Sequence, residues 1–369
     1  MNRFYLLGIP ALLALLVISE IAASVDAQSN PTGRDRAVVS ATATPTPVAT
    51  PTIKEEDQIY KIDTELVNLN VRVVDRNNRP IGNLRQSDFK VFEDNVPQQI
   101  EFFSKSEVPT NYSLVIDNSG SLRALIDQVI EASKILIGAN KPEDETSIIR
   151  FVSSDKIEIV EDFTKNKADL IDALDTKLYI EGGQTAIIDA VYLAADQVTK
   201  YEKSSSAVDR KRRALILVSD GEDRSSFYTQ QQLFDLLRET DVQIYVVGFV
   251  KELSADKGFI TKSPQGKARA FLEKLASETG GKAYFPMGVS ELNGIAREIA
   301  SELRTQYSIG YLPSNDRKDG SYRNIKVTIE DGPNKQKRIA LTRAGRMAEQ
   351  EAGATSAPTI QKPGQIKDQ

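Results

Sequence analysis

Ser113-Leu114-Val115-Ile116-Asp117-Asn118-Ser119-Gly120-Ser121 is the stretch on which the reading of this chain turns. Ser113 to Ile116 is a short apolar strand. It breaks into a polar turn, and Leu122, Leu125, Ile126, Val129, Ile130, Ile135 and Leu136 then recur at helical spacing. Within the turn, Asp117, Ser119 and Ser121 form an Asp-x-Ser-x-Ser pattern, whose spacing lets one carboxylate and two hydroxyls face the same point. Asp and Ser also cap helices and build turns, so the pattern alone is a weak signal.

The same alternation continues downstream. Ser147 to Val152 and Lys156 to Val160 read as strands, and Ile187 to Val198 as a helix face. Ala214 to Val218 is continuously apolar, as a buried parallel strand should be. Gln230 to Arg238 reads as a helix, Val242 to Phe249 as a buried strand, and Ala268 to Glu278 as a helix closed by Gly280-Gly281. Lys282 to Phe285 is a last strand. Ser290 is placed to cap a last helix with Leu292, Ile295, Ile299 and Leu303 on its inner face. Strands alternating with helices predict an α/β fold, a doubly wound and mostly parallel sheet covered on both sides. Ligands in such sheets bind at the carboxyl ends of the strands. Two further groups fall at such places. Gly182-Gly183-Gln184-Thr185 presents a threonine hydroxyl before a helix, and Ser219-Asp220-Gly221 ends the central strand with a carboxylate.

Composition narrows the chemistry. The 369 residues contain no histidine and no cysteine. Ser-His-Asp and Cys-His machinery, disulfides, Fe–S clusters and the usual structural zinc sites are therefore excluded. A metal site here must be built from oxygen ligands, which suit hard cations. The formal charge of −5 makes nucleic acid an unexpected partner.

These pieces resemble the metal-ion-dependent adhesion site of the von Willebrand factor A family. That family's order is Asp-x-Ser-x-Ser, then a threonine, then an aspartate. The resemblance covers about residues 110 to 305 and implies a Rossmann-like fold. It implies that Ser119, Ser121 and Thr185 supply hydroxyl ligands and that Asp117 and Asp220 bind the metal directly or through water. It implies Mg²⁺, with Mn²⁺ or Ca²⁺ as alternatives, and a protein partner that offers an Asp or Glu carboxylate to an open position. Loops near Ser153 to Asp155, Glu181 to Gln184 and Glu222 to Ser226 would set specificity.

Two other readings compete. One is a structural module whose site stays unoccupied. The other is a haloacid-dehalogenase-like, Mg²⁺-dependent phosphohydrolase. Those enzymes use Asp-x-Asp, and Ser119 stands where their second acid would be; a serine hydroxyl cannot do that proton transfer near neutral pH. The expectation is a binding module and not an enzyme.

The flanks have their own grammar. Val67, Leu69, Val71 and Val73 alternate with Asn68, Asn70 and Arg72, which predicts a half-buried strand. Phe89 to Glu93 and Gln99 to Phe103 read as strands around an Asp94-Asn95 turn, and Arg338 to Leu341 is expected to close a hairpin on Ile325, Val327 and Ile329. The two flanks are expected to meet in one small β domain. Two segments, Asp88 to Asp94 and Tyr307 to Tyr311, resemble the flanks of a bacterial subgroup of secreted proteins with this domain. Arg210-Lys211-Arg212-Arg213 reads as a solvated loop or an anionic docking patch, Glu222 and Asp223 as solvated charges or outer-shell groups, and Tyr307 and Tyr311 as packing residues.

At the N-terminus Arg3, the apolar run Leu6 to Ile18 and the small residues Ala22, Ala23 and Ala27 predict a secretory signal. An uncleaved anchor is the alternative, and either places the rest outside the cytoplasm, secreted or periplasmic, with no other integral membrane segment. The expected organisation is a signal over 1–27, a Pro/Thr/Ser-rich linker over 28–57, a β segment over 58–108, the α/β domain over 109–306, a second β segment over 307–347 and a tail over 348–369.

Overall fold

The computed structural model describes residues 66–105, 107–201, 211–253 and 263–350. The signal, the linker and most of the expected tail lie outside the described residues, as does Arg210. In chain order the elements are β1 (Val67–Val74), β2 (Phe89–Glu93), β3 (Val96–Gln98), β4 (Ile100–Ser104), β5 (Thr110–Asp117), α1 (Ile126–Gly138), β6 (Glu145–Phe151), β7 (Ile157–Thr164), α2 (Lys167–Lys177) and α3 (Ile187–Lys200). There follow β8 (Arg212–Ser219), α4 (Gln230–Glu239), β9 (Gln243–Gly248), α5 (Pro264–Glu278), β10 (Ala283–Tyr284), α6 (Leu292–Glu302), β11 (Tyr307–Tyr311), β12 (Tyr322–Ile329), β13 (Ile339–Leu341) and β14 (Gly345–Met347).

Six strands form the main sheet in the order β10-β9-β8-β5-β6-β7. All its pairings are parallel except β6 with β7. Alternation sorts the side chains to two faces. Leu114, Ile116, Ile216 and Val218 pack under α1, α2 and α6. Val115, Leu215, Leu217 and Val246 pack under α3, α4 and α5. Each such fully buried aliphatic side chain contributes roughly 1.5–3 kcal/mol. From β5 the chain runs outward to β6 and β7, then returns to β8 on β5's other side. The order reverses between β5 and β8, which makes the crevice beyond their carboxyl ends the topological switch point.

Strands of the two flanks pair with each other. They make two four-stranded antiparallel sheets, β13-β1-β11-β4 and β14-β12-β2-β3. One apolar cluster fills both, with Val71, Leu69, Phe89, Val91, Tyr307, Ile309, Tyr311 and Val327 among its members. The Phe89 and Tyr307 rings lie 5.0 Å apart. Tyr311 donates its hydroxyl to Glu93 Oε2 at 2.6 Å, so the two segments that resemble the secreted subgroup touch each other. Tyr307 and Tyr311 are buried packing residues.

Several local expectations need correcting. Arg338 to Leu341 does not close a hairpin on β12. β13 pairs with β1, and β12 takes β14 and β2 as neighbours. The expected strand Gln99 to Phe103 is present as β4, one residue later, and at Gln99 the chain passes from β3 in one sheet to β4 in the other. Ser290 does not cap α6. It lies inside a 3-10 turn over Val289–Glu291, and Glu291 takes the cap position without a side-chain bond. Nor is the basic run a solvated loop where it is described. Arg212 is buried in β8 and donates to the Leu303 and Gln306 carbonyls at 2.7 and 3.1 Å. Arg213 pairs with Asp241 at 3.0 Å, and Lys211 with Glu145 at 2.6 Å. A helix that had not been anticipated, α2, is capped by Asn166, whose side chain accepts from the Ala168 N–H, and buries Leu170, Ala173 and Leu174.

Candidate metal centre

Asp117 is the last residue of β5 and is wholly buried. Its Oδ1 accepts the Ser119 N–H at 2.9 Å, folding the turn back on the strand end. Its Oδ2 accepts the Ser219 hydroxyl from the adjacent β8 at 2.8 Å. Ser219 in turn accepts the Gly221 N–H at 3.1 Å. The Ser119 and Ser121 hydroxyl oxygens stand 2.8 Å apart, Ser119 buried and Ser121 open to solvent.

Asp220 follows the end of β8 and is buried, with Oδ1 accepting the Glu222 N–H at 3.0 Å. The chain leaves the strand through Gly221, whose φ of +81° favours glycine. A Cβ there would come within 2.7 Å of Leu272. Thr185 is buried on the segment before α3. That segment is tied at both ends: Glu181 N–H donates to the Asn118 carbonyl at 3.0 Å, and Ala186 N–H to the Val152 carbonyl at 3.1 Å. The Thr185 carbonyl accepts the N–H groups of Arg224 and Ser225 at 2.8 and 3.2 Å. The loop after Asp220 therefore grips the segment that carries Thr185.

The electrostatics of the site are unbalanced. Burial pushes the Asp117 carboxyl up to about 6, and the nearby Asp220 charge pushes in the same direction, while bonds from Ser119 and Ser219 oppose them. Among the described residues neither aspartate forms an ion pair, and no group of three or more acidic side chains converges anywhere. With neither histidine nor cysteine available, the Asp117 and Asp220 carboxylates and the neighbouring Ser119 and Ser121 hydroxyls are oxygen donors of the kind that suits a hard cation. A buried carboxylate with a second one beside it fits the same occupant, because a cation removes the repulsion.

Sequence reasoning missed the residues that hold the site in shape. Ser219 ties β8 to Asp117. Asn118, lying between two candidate ligands, uses its side-chain amide to bind the Tyr179 carbonyl at 2.8 Å. Asp189, buried in the first turn of α3, accepts the Phe227 and Tyr228 N–H groups, both at 2.8 Å. Its signal was an acid set among Ile187, Ile188 and Val191 on an otherwise apolar face. Asp223 is an exposed loop charge whose Oδ1 also accepts the Ile188 N–H at 3.3 Å, and Glu222 pairs with Arg224.

A three-layer, doubly wound domain with oxygen donors gathered at its switch point defines the class. The chain belongs to the von Willebrand factor type A domain family, whose model matches residues 113–298. Domains of this family are typically non-catalytic binding modules and often use metal-ion-dependent adhesion sites to bind proteins. Several solved structures are similar to parts of the chain. An aerotolerance-related membrane protein from Bacteroides fragilis is 17% identical with a TM-score of 0.40, over 53% of this chain and 98% of that one. A von Willebrand factor type A protein from Catenulispora acidiphila is 14% identical with a TM-score of 0.42, over 72% and 74%. Proximal thread matrix protein 1 from the mussel byssus, solved with a zinc-occupied MIDAS motif, is 16% identical with a TM-score of 0.42, over 54% and 48%. No curated protein matches the chain.

Proposed function

We propose that this chain is a metal-dependent protein-binding module. Asp117, Ser119, Ser121, Thr185 and Asp220 hold one divalent cation, Mg²⁺ in the first instance. The bound cation supplies an electrophilic point for a carboxylate of a partner protein, because two carboxylates and three hydroxyls leave a hard cation short of negative charge. The residues themselves set the geometry. Ser219 orients Asp117, the Ser119 N–H holds the turn, and the Arg224 and Ser225 amides fix Thr185. The observation that carries this reading is the buried Asp117 carboxyl beside Asp220 with no cationic side chain paired to either among the described residues.

The organisation proposed for the whole chain has a signal over 1–27, a linker over 28–57, β segments over 58–108 and 307–347 around an α/β domain over 109–306, and a tail from 348. It places the protein outside the cytoplasm, in the secreted subgroup that its flanks resemble. Among the described residues no helix is long and apolar enough to cross a membrane.

The test is thermal unfolding in millimolar Mg²⁺ against EDTA. The wild type is expected to melt higher with metal, and Ser119→Ala and Thr185→Ala to lose most of that difference. Equal melting of the wild type under both conditions, with and without an added carboxylate, would leave a structural module instead.

A further inference from the structure

Phe227 is 82% exposed, more than any other large apolar side chain among the described residues. It does not sit on a slack loop. Its own N–H and that of Tyr228 are both bound by the buried Asp189 carboxylate at 2.8 Å. Ser226 Oγ accepts the Asp189 N–H at 3.2 Å, and the Ser225 hydroxyl donates to the Gln184 carbonyl at 3.1 Å. Behind the Phe227 ring, Tyr228 meets it edge-on at 5.5 Å and stacks on Tyr192 at 4.0 Å. A phenylalanine left in water on a fixed platform marks a contact point, because exposed aromatic side chains on rigid supports lose little freedom when a partner covers them.

Its place in the fold names what it contacts. The loop starts at Asp220 and its amides at Arg224 and Ser225 bind the Thr185 carbonyl. Phe227 is three positions beyond Arg224, a reach of at most ~10 Å. Asp189, which holds Phe227, is the third residue of α3, four positions after Thr185. Tyr179, 52% exposed, is tied through its carbonyl to Asn118, and its ring lies under the Arg150 guanidinium at 4.1 Å. Exposed aromatic side chains are thus carried on two segments that hydrogen-bond to the candidate site, Tyr179 through Asn118 and Phe227 through the loop that binds Thr185.

We infer that Phe227 is a specificity-determining contact of the metal site. The partner it fits is a protein segment with an Asp or Glu side chain for the metal and a large apolar side chain two or three residues away, on Phe227. Extended chain covers about 7–10 Å in that interval, a span of the same order as the three-position step from Arg224 to Phe227. This rests on the metal-dependent reading of the site.

The test pans a displayed library of short random peptides on the full chain in millimolar Mg²⁺, eluting with EDTA. Wild type and Ile159→Ser, a change at an exposed position on the antiparallel edge strand β7, should both enrich an acid with an apolar residue two or three positions away. Phe227→Ser should enrich the acid alone and bind the wild-type peptides on the order of tenfold more weakly. Enrichment of an acid with no apolar position on the wild type, or an unchanged preference in Phe227→Ser, would overturn the role of Phe227 while leaving the metal site intact. Enrichment that is indifferent to acid, or no EDTA-elutable peptide at all, would overturn the metal-site reading and this inference with it.

Discussion

Arg72 and Glu302 form an ion pair at 2.7 Å that is almost wholly shielded from water, and it fastens the first flanking strand to the last helix of the α/β domain. Arg72 also donates to the Gly281 carbonyl at 3.2 Å. Lys282 approaches Glu302 at 3.6 Å, so the acid has a second cationic neighbour that the arginine's loss would not remove. Removing one partner of a buried pair costs ~3–5 kcal/mol, because the other charge is left buried. We predict that Glu302→Gln lowers the melting temperature more than Arg72→Met, and that replacing both by apolar residues recovers part of the loss. Thermal unfolding checks the order; a larger loss in Arg72→Met would contradict it.

The electrostatics of Asp117 give a pH dependence. Its carboxyl titrates near 6 in the folded protein against 3.8 for the free group. Between those values the metal-free folded state holds the extra proton, so this group's contribution is present below about pH 4 and lost as pH rises through about 6. The shift corresponds to ~3 kcal/mol. An asparagine keeps only one acceptor for two donors, so we expect Asp117→Asn to stabilise the protein in EDTA at pH 7.5 by about 1–2 kcal/mol. The advantage should vanish near pH 4. Melting curves of both proteins across that range would show it, and a variant less stable at pH 7.5 would rule out the burial argument.

Gly221 is required by both conformation and space. A non-glycine residue at φ +81° costs ~1–2 kcal/mol, and the added Cβ would also collide with Leu272 at 2.7 Å. Because Gly221 follows Asp220 directly, Gly221→Ala should weaken Mg²⁺ stabilisation as well as lower the melting temperature. An unchanged metal response would mean that Asp220 is positioned independently of this turn.

Asp189 is predicted to govern the loop that grips Thr185. Asp189→Ala leaves the Phe227 and Tyr228 N–H groups without their acceptor, at a cost of ~2–3 kcal/mol. Amide exchange over 222–228 should accelerate well beyond that of β8. Uniform exchange across both would show that the loop is held by other contacts.

The α/β core was legible because strands buried on both faces are written as unbroken apolar runs, as in Ala214 to Val218, and amphipathic helices carry a clear 3.6 period. The residues of the candidate site could be named because they cluster at strand ends. What escaped was pairing. A period of two identifies β4 and β13 as strands but does not say which sheet each joins, and the chain changes sheet on entering each of them. Alternation also put Arg72 on a polar face; its buried carboxylate partner comes from α6, 230 residues away. α2 was overlooked although Asn166 caps it and Leu170, Ala173 and Leu174 lie on one face, because those three positions are a thin stripe among charges. Ser219 and Asp189 act through hydrogen bonds to distant backbone and side chains, which a linear pattern does not record.

The most direct test of the account is calorimetric titration of Mg²⁺ into the full chain at pH 7.5, with and without a peptide that carries one glutamate. One site is expected, tighter with the peptide, and abolished in Asp117→Ala and Asp220→Ala variants whose far-UV spectra match the wild type. Binding that survives both substitutions, or no binding even with the peptide present, would contradict the claim that these residues hold a metal for a partner's carboxylate.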